Sequence, residues 1–210
     1  MISGLTSLEE VELEDLEYIP DDAIGSRTTC SLLSGLTACH TVWADKLKRA
    51  RIVYPTGGGQ AVMFWNMPAL KKVYMRGLDY FDVYRTDGFN VYLANQDSIE
   101  ELYLGPMNNY TANKVNLGNQ TKLLKIDFPN GLNNSMNLGT WSPTLDSSNL
   151  QQFLSNFRDY IALRLTDNGS GKTLTLSQAV RNAIHAAEAT YGIENIIITQ
   201  KGWTISPAPN

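Results

Sequence analysis

A short pattern of apolar residues recurs along the chain and limits what it can fold into. Segments that start at residues 4, 35, 66, 95 and 119 carry apolar side chains in the order LxxLxL: GLTSLEEVEL, GLTACHTVWA, NMPALKKVYM, NQDSIEELYL and NQTKLLKIDF. The first apolar residues are Leu8, Cys39, Leu70, Ile99 and Leu123, so the spacings are 31, 31, 29 and 24 residues. Self-similarity at such a period is typical of repeat architectures.

The pattern predicts a short strand in each unit. Its last two apolar positions alternate with one other position, so a strand would point two side chains into a core and one outward. A unit that buries only one face must stack on its neighbours, with the strands paired in parallel, and the stack is a solenoid. Three later segments are candidates to continue the array: NLQQFL near Leu150, TLTL at 173–176 and NIIIT at 195–199.

Helical periodicity is clear in two places near the C-terminal end. Apolar residues have helical spacing from Ser147 to Tyr160, and a second helix is predicted from Ser177, a plausible N-cap, to Tyr191, with Gly192 at its end. We expect both helices on the convex side of the solenoid.

The repeat resembles a leucine-rich repeat, specifically the BspA-type branch found in bacterial surface proteins and in phages of such bacteria. The openings N/G-x-x-x-L-x-x-L-x-L are similar, and so is the C-terminal order of TLTL strand, helical segment and closing KGWTI strand. The resemblance implies an α/β repeat fold with short parallel strands on the concave face. It implies a single domain over residues 1–210, with repeats over about 3–165 and closing elements over about 166–206.

Composition narrows the classes of partner. The 210 residues are 43% apolar, which is enough for a sizeable core, and the net charge is -4. An acidic chain argues against nucleic acid as a partner, because binding phosphates takes clustered Lys and Arg. No apolar run is long enough to span a membrane, and the N-terminus lacks the basic start and apolar run of a signal peptide. We therefore expect no membrane insertion.

The outward strand positions of such a solenoid form columns on its concave face, which is the usual binding surface. The middle column consists of Glu12, Trp43, Tyr74, Tyr103 and Asp127, and neighbouring strands lie ~4.8 Å apart, so the three rings predict a contiguous exposed aromatic stripe. The candidate binding residues are Trp43, Tyr74, Tyr103, Asp45, Arg76, Lys72 and Glu101. Aromatics among mixed charges suit a protein or glycan ligand; the alternative is cross-strand pairing that only stabilises the sheet.

The first repeat is unusually acidic, with six carboxylates at Glu9, Glu10, Glu12, Glu14, Asp15 and Glu17. Charges on an edge strand discourage unwanted pairing with other strands. The alternative is that this edge docks on another domain or subunit.

Catalytic and metal-binding patterns are weak. We expect Cys39 to fill a core position, and we expect structural or solvated roles for His40 and His185. The Gly171-Lys172-Thr173 stretch suggests a phosphate loop, but the glycine that opens G-x-x-x-x-G-K-[ST] would have to stand where Thr166 is. A phosphate loop also leads directly into a helix, whereas TLTL predicts a strand. We predict no catalytic residue, no cofactor and no metal.

These observations favour a binding protein over an enzyme. The resemblance, together with the missing signal peptide, points to a phage virion component, such as a fibre, tail or head-decoration protein. It would contact a host surface or a neighbouring virion protein, as a homo-oligomer or as part of a larger assembly. One alternative is the repeat domain of a bacterial cell-surface adhesin, and another is a nucleotide-binding enzyme that uses Lys172.

Overall fold

The computed structural model describes residues 2–19, 29–52, 60–83, 90–93, 97–108, 112–118 and 120–210. Its strands are short. In chain order they are β1 (Ile2–Ser3), β2 (Glu10–Glu12), β3 (Tyr18–Ile19), β4 (Thr29–Ser34), β5 (Thr41–Trp43), β6 (Arg49–Ile52), β7 (Gln60–Trp65), β8 (Lys72–Tyr74), β9 (Tyr80–Val83), β10 (Asn90–Tyr92), β11 (Glu101–Tyr103), β12 (Ala112–Asn116), β13 (Lys125–Asp127), β14 (Ser135–Leu138), β15 (Thr173–Leu176) and β16 (Thr204–Ser206).

Within these ranges the strands form three sheets, and all the strand pairs are parallel, as the repeat predicts. The five-stranded sheet has the order β13-β11-β8-β5-β2 and contains the strand of every LxxLxL segment. The eight-stranded sheet has the order β16-β15-β14-β12-β10-β9-β6-β3, and the three-stranded sheet the order β1-β4-β7. The fold is therefore mixed α/β, with parallel sheets and few helices.

The changing length of the repeat has a structural counterpart. In the two units that start at Leu8 and Cys39, the chain supplies one strand to the five-stranded, the eight-stranded and the three-stranded sheet in turn. In the described residues of the unit that starts at Ile99, it supplies one strand to the five-stranded sheet and one to the eight-stranded sheet. The strand predicted at each LxxLxL segment is present, and segments such as RARI and SMNL form further strands that the pattern did not predict.

The apolar positions of the repeat face the core, as expected from the alternation of a strand. Val42, Val73 and Leu102, the central apolar residues of three successive strands, are fully buried. Cys39 fills the equivalent of a leucine position and is also fully buried, and burial raises the pKa of its thiol. A further apolar position, three residues beyond the pattern, is buried at Leu47 and Leu78.

The helices partly match the prediction. They are α1 (Leu150–Tyr160), α2 (Gln178–Ala186) and α3 (Glu188–Tyr191), with a 3₁₀ turn at Ala162–Arg164 and a π-helical segment at Asn195–Gln200. Ser177 caps α2 through its side chain, which accepts from the Val180 N–H, and Gly192 ends α3 in the left-handed conformation at φ 60°. None of the described helices is long and apolar enough to cross a membrane.

The expected position of the first helix is wrong. Instead of lying on the convex side, α1 lies beside β13, at the edge of the five-stranded sheet. The Asn156 side chain donates to the Leu124 carbonyl at 3.1 Å, and the Phe128 N–H donates to the Tyr160 carbonyl at 3.3 Å. Phe153 and Phe157 also pack on Trp141, which holds α1 in this place. The helix therefore covers the β13 edge of the sheet, whose backbone groups would otherwise be open to pairing.

The C-terminal segments also divide into correct and incorrect predictions. TLTL is a strand, β15, and KGWTI leads into β16 and supplies its first two residues, as expected of a closing strand. Both strands belong to the eight-stranded sheet. NLQQFL lies in α1, and NIIIT lies in the π-helical segment, so neither continues the array as a strand. Apolar runs this short do not distinguish a strand from a buried helix.

Candidate functional site

Three aromatic side chains stack on one another on the outer face of the five-stranded sheet. Trp43 and Tyr74 have ring centres 5.7 Å apart and planes 11° apart, and Tyr74 and Tyr103 have ring centres 4.3 Å apart and planes 13° apart. We call Trp43, Tyr74 and Tyr103 the aromatic ladder. They come from β5, β8 and β11, whose residues pair Trp43 with Tyr74 and Tyr74 with Tyr103, which confirms the predicted column.

A guanidinium group lies against the ladder. The central carbon of the Arg76 guanidinium is 4.7 Å from the ring centre of Tyr74 and 4.6 Å from that of Tyr103. Arg76 also forms an ion pair with Asp45 at 2.8 Å, and its backbone N–H donates to the same carboxylate at 3.0 Å. An arginine that stacks on rings while it bonds a carboxylate is held in one place.

A polar network joins the far end of the ladder to its neighbours. The Tyr103 hydroxyl donates to the Glu101 carboxylate, which also forms an ion pair with Lys72 at 2.9 Å. The Lys125 ammonium donates to the Tyr103 hydroxyl at 3.1 Å and lies 4.1 Å from the ring centre of Tyr160 on α1. All seven residues predicted from the sequence therefore lie on this face, within one connected set of contacts.

The network changes the acidity of its members. Burial alone would raise the pKa of Glu101, but the hydrogen bonds from Tyr103 and Lys72 outweigh it, so the pKa is lowered. Burial raises the pKa of Tyr103, and the hydrogen bond to the Glu101 carboxylate raises it further. Asp127, next in the column, has its pKa raised by burial in spite of the nearby cations.

The expectation of a fully exposed stripe is wrong at one end. Tyr103 is only 8% exposed, whereas Trp43 and Tyr74 are half-buried. Arg76 and Lys125 lie against the Tyr103 ring, and α1 brings Tyr160 next to Lys125. The solvent-accessible part of the ladder is therefore the Trp43 end.

The Trp43 end opens into a groove of about 350 Å³. Its lining residues are Glu12, Glu14, Trp43, Asp45 and Lys46. A second groove of about 360 Å³ runs between β11, β13 and α1, past Glu101, Lys125 and Tyr160. Concave surfaces of this size at both ends give the outer face a shape that a ligand can enter.

Several residues of this face were not predicted as site residues. Lys125 stands in the same strand column as Lys72 and Glu101, so the column itself could have revealed it. Glu12 and Glu14 are visible in the acidic first repeat. No feature of the sequence could have identified Tyr160 as a residue of this face, because its position depends on where α1 packs.

The Lys172 loop is a turn that leads into a strand, as predicted. Gly171 has φ +75°, and the chain continues directly into β15. The Lys172 ammonium donates to the Asn168 carbonyl at 3.1 Å and to the Asn133 side chain. Of the histidines, His40 contacts the Thr41 hydroxyl at 2.9 Å and His185 contacts Glu194 at 3.1 Å.

In the part of the chain that the structure describes, no group of three or more His, Cys, Asp or Glu residues could hold a metal ion. Comparison of this chain with protein-family models, with curated proteins and with solved structures found no match.

Proposed function

We propose that this chain is a non-enzymatic binding protein whose ligand, a protein or a glycan, contacts the aromatic ladder and its flanking charges. The supporting observation is the register of Trp43, Tyr74 and Tyr103 on one outer sheet face, with grooves at both ends. Rings provide large contact area at little cost in conformational entropy, and they are enriched among residues that dominate binding energy. Because Arg76 and Glu101 already hold the rings of Tyr74 and Tyr103, and Trp43 stacks on Tyr74, a ligand would meet a preorganised surface.

We also propose a specific fold family for this mixed α/β structure, a leucine-rich-repeat solenoid of the BspA type. The LxxLxL segments support it, because each supplies one strand to the same parallel sheet in the same register. From that resemblance follows the biological setting that we favour, a phage virion component that contacts a host surface or a neighbouring virion protein. An adhesin domain on a bacterial surface would use the same face in the same way. Capsid or tail genes beside the gene would favour the virion.

The binding proposal is tested by selecting ligands and then removing rings. Immobilised protein is screened against a glycan array and a random-peptide library, and the affinity of the best ligand is measured by calorimetry. We expect Trp43→Ala with Tyr74→Ala to weaken binding by roughly 10- to 30-fold, as for hot-spot aromatics. The matched control is Trp65→Ala, which removes an indole that is 38% exposed on the three-stranded sheet.

The control should leave affinity unchanged, and circular dichroism should show that all variants stay folded. Equal affinity of the double variant for the selected ligand would contradict the proposal. The same holds if the wild-type protein selects no ligand above the level seen with the double variant.

A further inference from the structure

The groove at the Trp43 end of the aromatic ladder has an aromatic wall and carboxylate walls. Tyr74 covers one face of the Trp43 indole, and the column continues on the other side to Glu12, which pairs with Trp43 in the sheet. The free face of the indole therefore borders the groove. Glu14 and Asp45 line it as well, so three carboxylates border the groove, of which Asp45 already pairs with Arg76.

Elsewhere on the same face, aromatic rings and a carboxylate together bind a guanidinium group of the chain itself. Arg76 lies over Tyr74 and Tyr103 and bonds to Asp45, so a guanidinium rests on rings of the ladder and on a carboxylate from the previous unit. Part of this arrangement recurs one unit earlier in the array. Trp43 stands where Tyr74 stands in the next unit, and Glu14, two residues beyond the partner of Trp43, takes the place of Asp45.

What differs at the groove is the cation. Among the described residues neither Glu12 nor Glu14 takes part in an ion pair or a side-chain hydrogen bond, and both are at least partly exposed. Lys46 also lines the groove, but its ammonium pairs with Asp15 at 3.2 Å. In this unit the position of Arg76 is held by Asp45, a carboxylate, so the described residues place no cation over the Trp43 ring.

We propose that this groove binds the guanidinium of an arginine side chain presented by a protein partner. The inference rests on the proposed function, because it names the ligand group for the same face. A planar guanidinium can stack on the indole and bond carboxylates along its edges at the same time. A lysine ammonium is a point charge that cannot do both equally well. A neutral sugar could stack on Trp43 but would leave Glu12 and Glu14 without a partner charge.

The test uses the whole chain and a small probe. Acetyl-Gly-Arg-Gly-amide is titrated while the indole N–H signals of the tryptophans are followed by NMR, with the Trp43 signal assigned from its loss in Trp43→Phe. The comparison probe carries citrulline, the neutral analogue of arginine with nearly the same shape. We expect the arginine probe to shift the Trp43 signal selectively, and the shift to weaken as salt is raised.

Two charge variants make the assignment specific. Glu12→Gln with Glu14→Gln should weaken binding of the arginine probe by about five-fold or more, the upper range for exposed charge pairs, because two of them are lost. Glu9→Gln removes a carboxylate of the same acidic repeat outside the groove lining and should change affinity less than two-fold. Equal binding of the citrulline probe, or equal losses in Glu9→Gln and in the double variant, would overturn the inference.

The outcomes separate this inference from the proposed function. If maltotriose, a neutral glycan, shifts the Trp43 signal and the arginine probe does not, the inference fails while the ladder remains a binding face. The inference also fails if a ligand selected with the whole protein needs Trp43 and Tyr74 but the arginine probe leaves the Trp43 signal unmoved. If the arginine probe binds but the selected ligands are indifferent to Trp43→Ala with Tyr74→Ala, the proposed function fails instead.

Discussion

Asp45 accepts two hydrogen bonds from Arg76, one from its backbone N–H at 3.0 Å and one from its guanidinium at 2.8 Å. The two residues follow β5 and β8 and belong to neighbouring units of the repeat. The contact therefore ties the turn after one strand to the turn after the next. It also holds the guanidinium against the rings of Tyr74 and Tyr103.

The first prediction concerns Arg76. Replacing Arg76 with Gln removes the ion pair and both ring contacts, so we expect the free energy of unfolding to fall by about 1–2 kcal/mol in urea denaturation. Arg76→Lys should lose most of the same energy, because an ammonium cannot stack as a guanidinium does. Arg158→Gln is the matched control. Among the described residues Arg158 pairs only with its sequence neighbour Asp159, so this substitution should cost less than about 0.5 kcal/mol. Equal losses of stability in Arg76→Gln and Arg158→Gln would show that Arg76 has no special role.

The second prediction is a pH dependence set by Glu101. Its pKa is lowered from 4.5 in the folded protein, so the folded state favours the carboxylate. The resulting stabilisation is present above pH 4.5 and is lost as pH falls through the lowered pKa, with a slope of at most ~1.4 kcal/mol per pH unit. The difference in unfolding free energy between wild type and Glu101→Gln should therefore shrink from pH 7 to pH 3.

Urea denaturation across that pH range measures the difference directly. Glu100→Gln is the matched control, because Glu100 is half-exposed and pairs with Lys71 at 3.3 Å, and none of the described tyrosines donates to it. Its difference from wild type should change less with pH. An equal pH dependence for the two variants would rule out the Tyr103 hydrogen bond as the cause.

The register of the aromatic ladder was predictable because it depends only on local alternation and on the spacing of the repeat. Once Val42, Val73 and Leu102 point into the core, the next residue of each strand must point outward, and parallel pairing aligns Trp43 with Tyr74. The acidic wall of the groove was visible as well, in the first repeat.

The burial of Tyr103 was not predictable in this way. Lys125 and Arg76 lie against the Tyr103 ring, and Lys125 in turn lies against Tyr160, which α1 brings in from a segment far along the chain. Helical periodicity identifies α1 and its apolar face but says nothing about which sheet edge that face covers. The strands outside LxxLxL were missed for a related reason, because their burial is decided by the packing of whole units.

The third prediction concerns Gly105, which stands two residues after Tyr103, at the position that Arg76 holds after Tyr74. A Cβ atom at Gly105 would lie 1.9 Å from the carbonyl oxygen and 2.3 Å from the backbone nitrogen of Leu78, and backbone atoms cannot move aside as a flexible side chain can. Gly105→Ala should therefore lower the free energy of unfolding by about 3 kcal/mol or more. At Gly118 a Cβ atom would meet only the Asn116 side chain, at 3.7 Å.

Gly118→Ala should change stability by less than about 1 kcal/mol in either direction. Thermal and urea denaturation of both variants measure the contrast. If Gly105→Ala is as stable as Gly118→Ala, the close approach of the chain at Gly105 to Leu78 is not present in solution.

The fourth prediction concerns a buried cation near the C-terminal end. Arg181 is only 5% exposed; its guanidinium donates to the Glu194 carboxylate and its Nε donates to the Pro207 carbonyl at 3.1 Å. Replacing Glu194 with Ala leaves the guanidinium buried without its counter-charge, so the free energy of unfolding should fall by about 3–5 kcal/mol. The other partner of Glu194 is His185, and the His185 side chain is 54% exposed. His185→Gln should therefore cost less than about 1 kcal/mol. Urea denaturation at pH 7 distinguishes the two, and a loss in Glu194→Ala no larger than in His185→Gln would mean that Arg181 reaches water in solution.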